Sequence, residues 1–444
     1  MSEQHVGPID LPGVSFECWL LQFDKHGECT SPQTRQELLQ RLPAIGNAPV
    51  ILFSHGWNNE FVDAKNLYAS FLKQLAAHPL PGPPPLFVGV TWPSTWVSSD
   101  SDLVRIAAEN EADGPLVAAE QTAEREIADG LAEPADRERL HALLSSPTVT
   151  QQEAEALTKL VSASLATAVK GPVQEGTEAQ APDPESMLAA LTAMQERPKS
   201  ADQDDLGEGG TLDAPGSAGL QSAGLFSALD PRPILRLASV YQMKDRAGVV
   251  GWNGVARLVE DILAHAAGPL HVVGHSYGCK VVLSAITGAT LPRKVRSVLL
   301  LQPAISYLSF ADAVPGRDGK GGYSGVPGKV ELAILTTYSR LDRPLHDAFH
   351  LALRRKGDLG ELSIATVPTA AGSPPSSYAA LGGYGPRGAN EDLREPLPDS
   401  GKTFSVPHGP AIIGFDGTQG SRIKSHGDVA TEYTGWLLHQ QMIS

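Results

Sequence analysis

Cysteine, long apolar runs and clustered basic residues are scarce in this chain, and each scarcity removes a class of protein. The 444 residues include three cysteines, Cys18, Cys29 and Cys279. They fall in no metal-like spacing and are too few to staple a chain of this size, which argues against a disulfide scaffold and for a reducing compartment. No stretch approaches the roughly 18 consecutive apolar residues of a membrane span. The opening MSEQHVGPIDLPGVSF has neither a basic n-region nor an apolar h-region, so a cytoplasmic location is expected, with export by a signal-independent route left open. Nowhere do Lys and Arg cluster with interleaved aromatics, so nucleic acid is not an expected partner. No repeat of solenoid length recurs.

What is present is the composition of a soluble globular chain, 41% hydrophobic and 19% charged, with a net charge of -15 that is unevenly spread. Residues 97–231 hold 25 of the 50 acidic residues but 8 of the 35 basic ones, a net of -17, so the remainder sits near +2. Acidity therefore belongs to one segment. That segment reads as helical in DLVRIAAENEA, REIADGLA and RERLHALL, and in QQEAEALTKLVSASLATAV, which a Thr150–Glu153 capping box opens. Between Gly171 and Gly224, Gly, Pro, Ser, Asp and Glu dominate, and a linker or disordered stretch is expected around one apolar patch, SMLAALTAM.

On either side the pattern alternates between strand and helix. VSFECWLLQF (14–23), Val50 to Phe53 of PVILFSHGW and LFVGVTW (86–92) read as strands, the last two buried on both faces, with helices near TRQELLQRL and NLYASFLKQLAAH. After the acidic segment come helices ILRLASVYQMKDRAG and GVARLVEDILAHAAG, strand LHVVG and helix KVVLSAITGA. Strands VRSVLLLQP and KVELAILTT follow, then helix RPLHDAFHLALRRKG, a loop over 367–410, strand AIIGF (411–415) and the terminal helix GDVATEYTGWLLHQQM. The division is into a core in two parts, 1–96 and 232–444, interrupted by the 97–231 insertion, which could form a lid after the LFVGVTW strand.

At the LHVVG strand end stands GHSYG, with Ser276 between Gly274 and Gly278 and His275 before it. A G-x-S-x-G is common enough by chance that context has to decide. A buried strand before it and a helix after it suit a turn tight enough to lift a serine hydroxyl clear of the sheet, where the first helical N–H groups face any oxygen that develops charge. The rival reading is a serine that only caps a helix.

An acyl-transfer serine needs an imidazole base and an acid to orient it, both from later strand ends. YSRLDRPL places Asp342 just beyond the KVELAILTT strand, with Asp347 as the reserve; DGTQGSRIKSHGDVA places His426 between the last strand and the terminal helix. His346 and His350 read as one helix face, His408 as a loop residue and His271 as a structural histidine within its strand. SHGWNN, with His55 and Gly56, could supply the Trp57 N–H to pair with the Tyr277 N–H as an oxyanion hole. Trp57, Trp92 and Tyr277 could also wall the pocket.

These motifs, HGW, TWPS after the next strand, and GHSYG, resemble the α/β-hydrolase superfamily, in particular its lipase- and esterase-like bacterial members. The resemblance covers about residues 14–96 and 232–440. It implies a central, mostly parallel sheet with flanking helices and a serine hydrolase acting through an acyl-enzyme. Ser276 would be nucleophile, Asp342 and His426 the rest of the triad, and Trp57 and Tyr277 the hole. The implied substrate is a small-molecule or lipid ester, with no metal or organic cofactor. Amide or thioester cleavage by the same triad, and a non-catalytic binding protein on the same fold, are the alternatives.

Overall fold

The runs read as strands buried on both faces lie inside a single eight-stranded sheet, each paired with a neighbour on either side. The computed structural model describes residues 6–56, 61–94, 114–168, 182–196, 229–315, 318–348, 379–395 and 397–444. Its strands are β1 (Glu17–Gln22), β2 (Val50–Ser54), β3 (Leu86–Thr91), β4 (Leu270–His275), β5 (Ser297–Leu301), β6 (Ile334–Tyr338), β7 (Glu391–Arg394) and β8 (Ile412–Asp416). They stand in the order β1-β3-β2-β4-β5-β6-β8-β7, every pairing parallel. The fold is α/β, and its sheet is wholly parallel.

Parallel strands cannot be joined by tight turns, so each connection crosses a face of the sheet and covers it. On one face Val50, Leu52 and Val272 meet helices α7 (Pro233–Val249), α8 (Ala256–His265) and α9 (Tyr277–Gly288). On the other, Ile51, Phe53 and Val273 meet α2 (Phe61–Ala76) and the C-terminal helix α10 (Glu432–Ile443). Successive residues of one strand thus enter opposite cores, which is why these runs are apolar throughout rather than alternating. Each large side chain so buried contributes about 1.5–3 kcal/mol.

The acidic insertion adds α3 (Gly114–Asp129), α4 (Pro134–Ser145), α5 (Gln151–Ala168) and α6 (Pro184–Glu196). Ile127, Leu157, Val161 and Met187 belong to the same core as the α7 face of the sheet, so these helices extend that layer. Arg246 on α7 ties them down, donating to the Pro93 carbonyl at 3.1 Å and to the Glu126 carboxylate at 2.9 Å. The capping box is reciprocal: Glu153 N–H donates to Thr150 Oγ1 at 3.3 Å and Thr150 N–H to the Glu153 carboxylate at 2.7 Å. The stretch expected to be a linker contains α6, because Met187 and Leu191, one helical turn apart, are both fully buried. The remainder of that stretch, the DLVRIAAENEA helix and any lid formed from them lie outside the described residues.

The stretches read as two helices, ILRLASVYQMKDRAG and GVARLVEDILAHAAG, form one continuous element, joined through a π segment, Val250–Val255. A Cβ at Gly251 would stand 2.3 Å from the Val281 carbonyl oxygen, and one at Gly254 2.2 Å from that of Gly27, so the glycines let the widened turn lie directly on α9 and on the β1 loop. The loop expected over 367–410 includes β7 at the sheet edge and a single helical turn, Leu381–Tyr384. Among the described residues no helix is long and apolar enough to cross a membrane.

Candidate active site

The strand order reverses direction between β2 and β4. The chain moves outward from β2 to β3, then returns past β2 to lay down β4 and its successors, so the loops after β2 and β4 diverge and leave a crevice at their C-terminal ends. Ser276 stands at that crevice, immediately before α9, with φ 54° and ψ -124°. For a residue bearing a Cβ this backbone costs on the order of 1–3 kcal/mol and persists only where the surroundings enforce it. Its N–H donates to the Leu301 carbonyl at 3.0 Å, and its own carbonyl accepts from Ala304 N–H at 3.2 Å. The flanking glycines are required by contact: a Cβ at Gly274 would lie 2.7 Å from Cys279 Cα, and one at Gly278 2.1 Å from the Ser54 carbonyl oxygen.

The Ser276 hydroxyl makes no cap to the helix it precedes. It lies 2.8 Å from His426 Nε2, while His426 Nδ1 lies 2.8 Å from Asp342 Oδ2. An ionised carboxylate only accepts, so Nδ1 carries the proton; the Nε2 lone pair of the neutral ring then accepts from the serine hydroxyl. The second oxygen of Asp342 accepts from Leu345 N–H at 3.1 Å, so both are occupied. Ser276 and Asp342 are 0% exposed and His426 5%. Such a chain can take a proton from an attacking hydroxyl and return it to a leaving group, in surroundings where water does not screen the charges.

The two loops that carry the acid and the imidazole are fastened together. The Ser339 hydroxyl donates to the Ile423 carbonyl at 2.8 Å and Arg340 N–H to Thr418 Oγ1 at 2.9 Å. Beyond the His426 loop, Thr431 and Thr434 cap α10 reciprocally.

The β2 loop approaches from the other side. His55 Nδ1–H donates to the Gly56 carbonyl at 2.7 Å, His55 Nε2 accepts from Trp92 N–H at 3.3 Å, and the Trp92 indole N–H donates to the His55 carbonyl at 3.2 Å. Both bonds of the ring are those of a neutral imidazole, and burial holds it down to about 4 against the Gly56 carbonyl. The rings of His55 and Trp92 stack at 5.7 Å, so Trp92 braces this loop. A Cβ on Gly56 would reach within 2.6 Å of Ser276 Cβ, which measures how tightly this loop adjoins the elbow, the sharp turn at Ser276 between β4 and α9. Tyr277 opens α9 with its side chain 1% exposed. Trp57 lies outside the described residues, and with it the second expected oxyanion donor.

The other histidines are placed elsewhere. His271 is buried in β4 with Nδ1 2.7 Å from Ser297 Oγ. His346 is buried and stacked on Tyr384 at 4.5 Å, and His408 is exposed, pairing with Leu332. Asp347 falls in a short π turn, Pro344–Ala348, and His350 lies outside the described residues. His275, before the serine, turns its ring to the His426 carbonyl, and burial followed by the neighbouring His426 holds it well below the ordinary range. Sequence reasoning passed over Gln302, which meets the same carbonyl; its only signal is a lone polar side chain closing the apolar run SVLLL. Among the described residues no group of three or more His, Cys, Asp or Glu is placed to hold a metal ion. Comparison with protein-family models, with curated proteins and with solved structures finds no match.

Proposed function

We propose that this chain is a serine hydrolase of the α/β-hydrolase type that cleaves carboxylic esters through an acyl-enzyme. The observation that carries the reading is the unbroken chain from the Ser276 hydroxyl through His426 to Asp342, two contacts of 2.8 Å made by residues far apart in sequence. The order serine, acid, histidine along a parallel sheet, and a serine held at positive φ between two glycines, agree with that type.

His426 Nε2 takes the Ser276 proton as Oγ attacks the ester carbonyl, and Asp342 stabilises the imidazolium that forms. The oxyanion turns toward the start of α9, where Tyr277 N–H is one donor and Trp57 N–H the proposed second; each contributes about 3 kcal/mol to the transition state. His426 then protonates the departing alcohol, and activates water to release the acid. Amides and thioesters share this carbonyl chemistry, so the reaction class is acyl transfer and a substrate panel selects among them. Among the described residues no contact favours a binding-only role. Ser276→Ala protein should lose nearly all turnover of a short p-nitrophenyl ester, keeping only the residual rate that binding and the oxyanion donors support; wild-type turnover in that variant would defeat the mechanism.

A further inference from the structure

Gln302 directly follows β5, is 0% exposed and has φ 39°, a second strained residue beside Ser276. A buried amide in such a backbone persists only where its neighbours determine it. Its N–H donates to Thr337 Oγ1 at 3.1 Å, and the Thr337 hydroxyl returns a bond to Gln302 Oε1 at 3.3 Å. This reciprocal pair orients the side chain so that Nε2 faces three carbonyls of one loop, those of Ser425 at 3.3 Å, His426 at 3.1 Å and Asp428 at 3.4 Å. A second donor reaches the His426 carbonyl from the elbow itself: His275 Nε2 stands 3.0 Å away. A carbonyl can only accept, so that nitrogen carries the hydrogen.

The His426 carbonyl thus receives two donors, one for each lone pair. Fixing the direction of a carbonyl fixes its whole planar peptide and narrows where the adjacent Cα–Cβ bond can point. The loop's own bonds do not accomplish this. Asp428 Oδ2 accepts from Lys424 and Ser425 N–H, which sets the shape of the turn but not its position relative to the serine. Gln302 and His275 do relate the two: Gln302 is anchored to β6 through Thr337, its neighbour Leu301 accepts the Ser276 N–H, and His275 precedes the serine.

We propose that Gln302, together with His275, is a positioning residue of the proposed hydrolase: the two donors hold the His426 backbone and so aim its imidazole between Ser276 and Asp342. The proposal rests on the serine-hydrolase reading above and adds residues that do not touch the reacting atoms.

The test compares Gln302→Met, which keeps length and loses the donors, with His275→Phe, which keeps a ring without N–H, and His275→Gln, which returns a donor near the Nε2 position. Rates on p-nitrophenyl acetate are expressed per serine titrated by a fluorophosphonate. In Gln302→Met and His275→Phe, kcat/KM should fall roughly 10- to 100-fold through kcat, with KM within about twofold. His275→Gln should recover most of the loss, which a purely structural role would not produce. Rates within about threefold of wild type, or a loss that His275→Gln does not recover, would overturn the positioning role while leaving the hydrolase reading intact. Wild-type protein that neither labels nor turns over ester would overturn both. Should Gln302→Met fail to fold, the two His275 variants decide alone.

Discussion

Replacing Gly56 by alanine probes how closely the β2 loop and the elbow are fitted. The added Cβ would lie 2.6 Å from Ser276 Cβ, 2.7 Å from His275 Nδ1 and 3.0 Å from the His275 carbonyl oxygen. Carbon atoms rest at about 3.5–4.0 Å, so something must yield by roughly 1 Å. The loop is held by the bond from His55 to the Gly56 carbonyl, at 2.7 Å, and the elbow by the bond from Ser276 N–H to Leu301, at 3.0 Å. Neither side moves freely, and the displacement is shared with the Ser276 hydroxyl. A shift of that size costs on the order of 100-fold in rate, about 2.7 kcal/mol of barrier, while overpacking costs about 1–3 kcal/mol of stability. The assay is kcat/KM on a short p-nitrophenyl ester per titrated serine, with thermal unfolding beside it. A variant within about threefold of wild type in kcat/KM, and equal to it in Tm, would show that this contact does not set the serine.

Asp342→Asn should leave the packing intact and lower kcat by about 10³- to 10⁴-fold, because an amide nitrogen facing His426 Nδ1 moves the ring proton to Nε2 and closes it to the serine; a loss below tenfold would remove Asp342 from the relay. Burial lowers His271 to about 3 and His55 to about 4, both below the ordinary 6.5 that they regain on unfolding. The unfolded chain therefore takes up these protons first, so their contribution to stability is complete above pH 6.5. It is lost as the pH falls, down to about 4 for His55 and about 3 for His271, and the loss reaches on the order of 3 kcal/mol each by pH 4. His271→Asn should flatten the slope of unfolding free energy between pH 6 and 4.5 by up to about 1.4 kcal/mol per pH unit, measured by denaturant titration at each pH; an unchanged slope would mean that this ring is not held neutral.

The inner strands and the positions at their ends were legible because burial on both faces leaves an apolar run, as in Val50–Phe53 and Val298–Leu301, and polar residues then mark where each strand leaves the sheet. Ser276, Asp342 and His426 each follow such an ending, and the structure brings their side chains together. Strand β7 was not legible: Glu391, Asp392, Leu393 and Arg394 lie on the sheet edge, where only one neighbour is paired and no apolar pattern is needed. The π segment was not legible because glycines that suggest a break between two helices serve instead for close approach, Gly251 to α9 and Gly254 to the loop after β1. Gln302 escaped notice because its role depends on three carbonyls in a loop more than a hundred residues away, which no local pattern reports.

The most direct test of the account is the stoichiometry and site of a fluorophosphonate adduct on the intact chain. One phosphonyl group per chain, on the peptide containing Ser276 and absent from Ser276→Ala protein, is the predicted result. Intact protein that takes up no label, or carries it on another serine, would contradict the claim that His426 and Asp342 activate this hydroxyl.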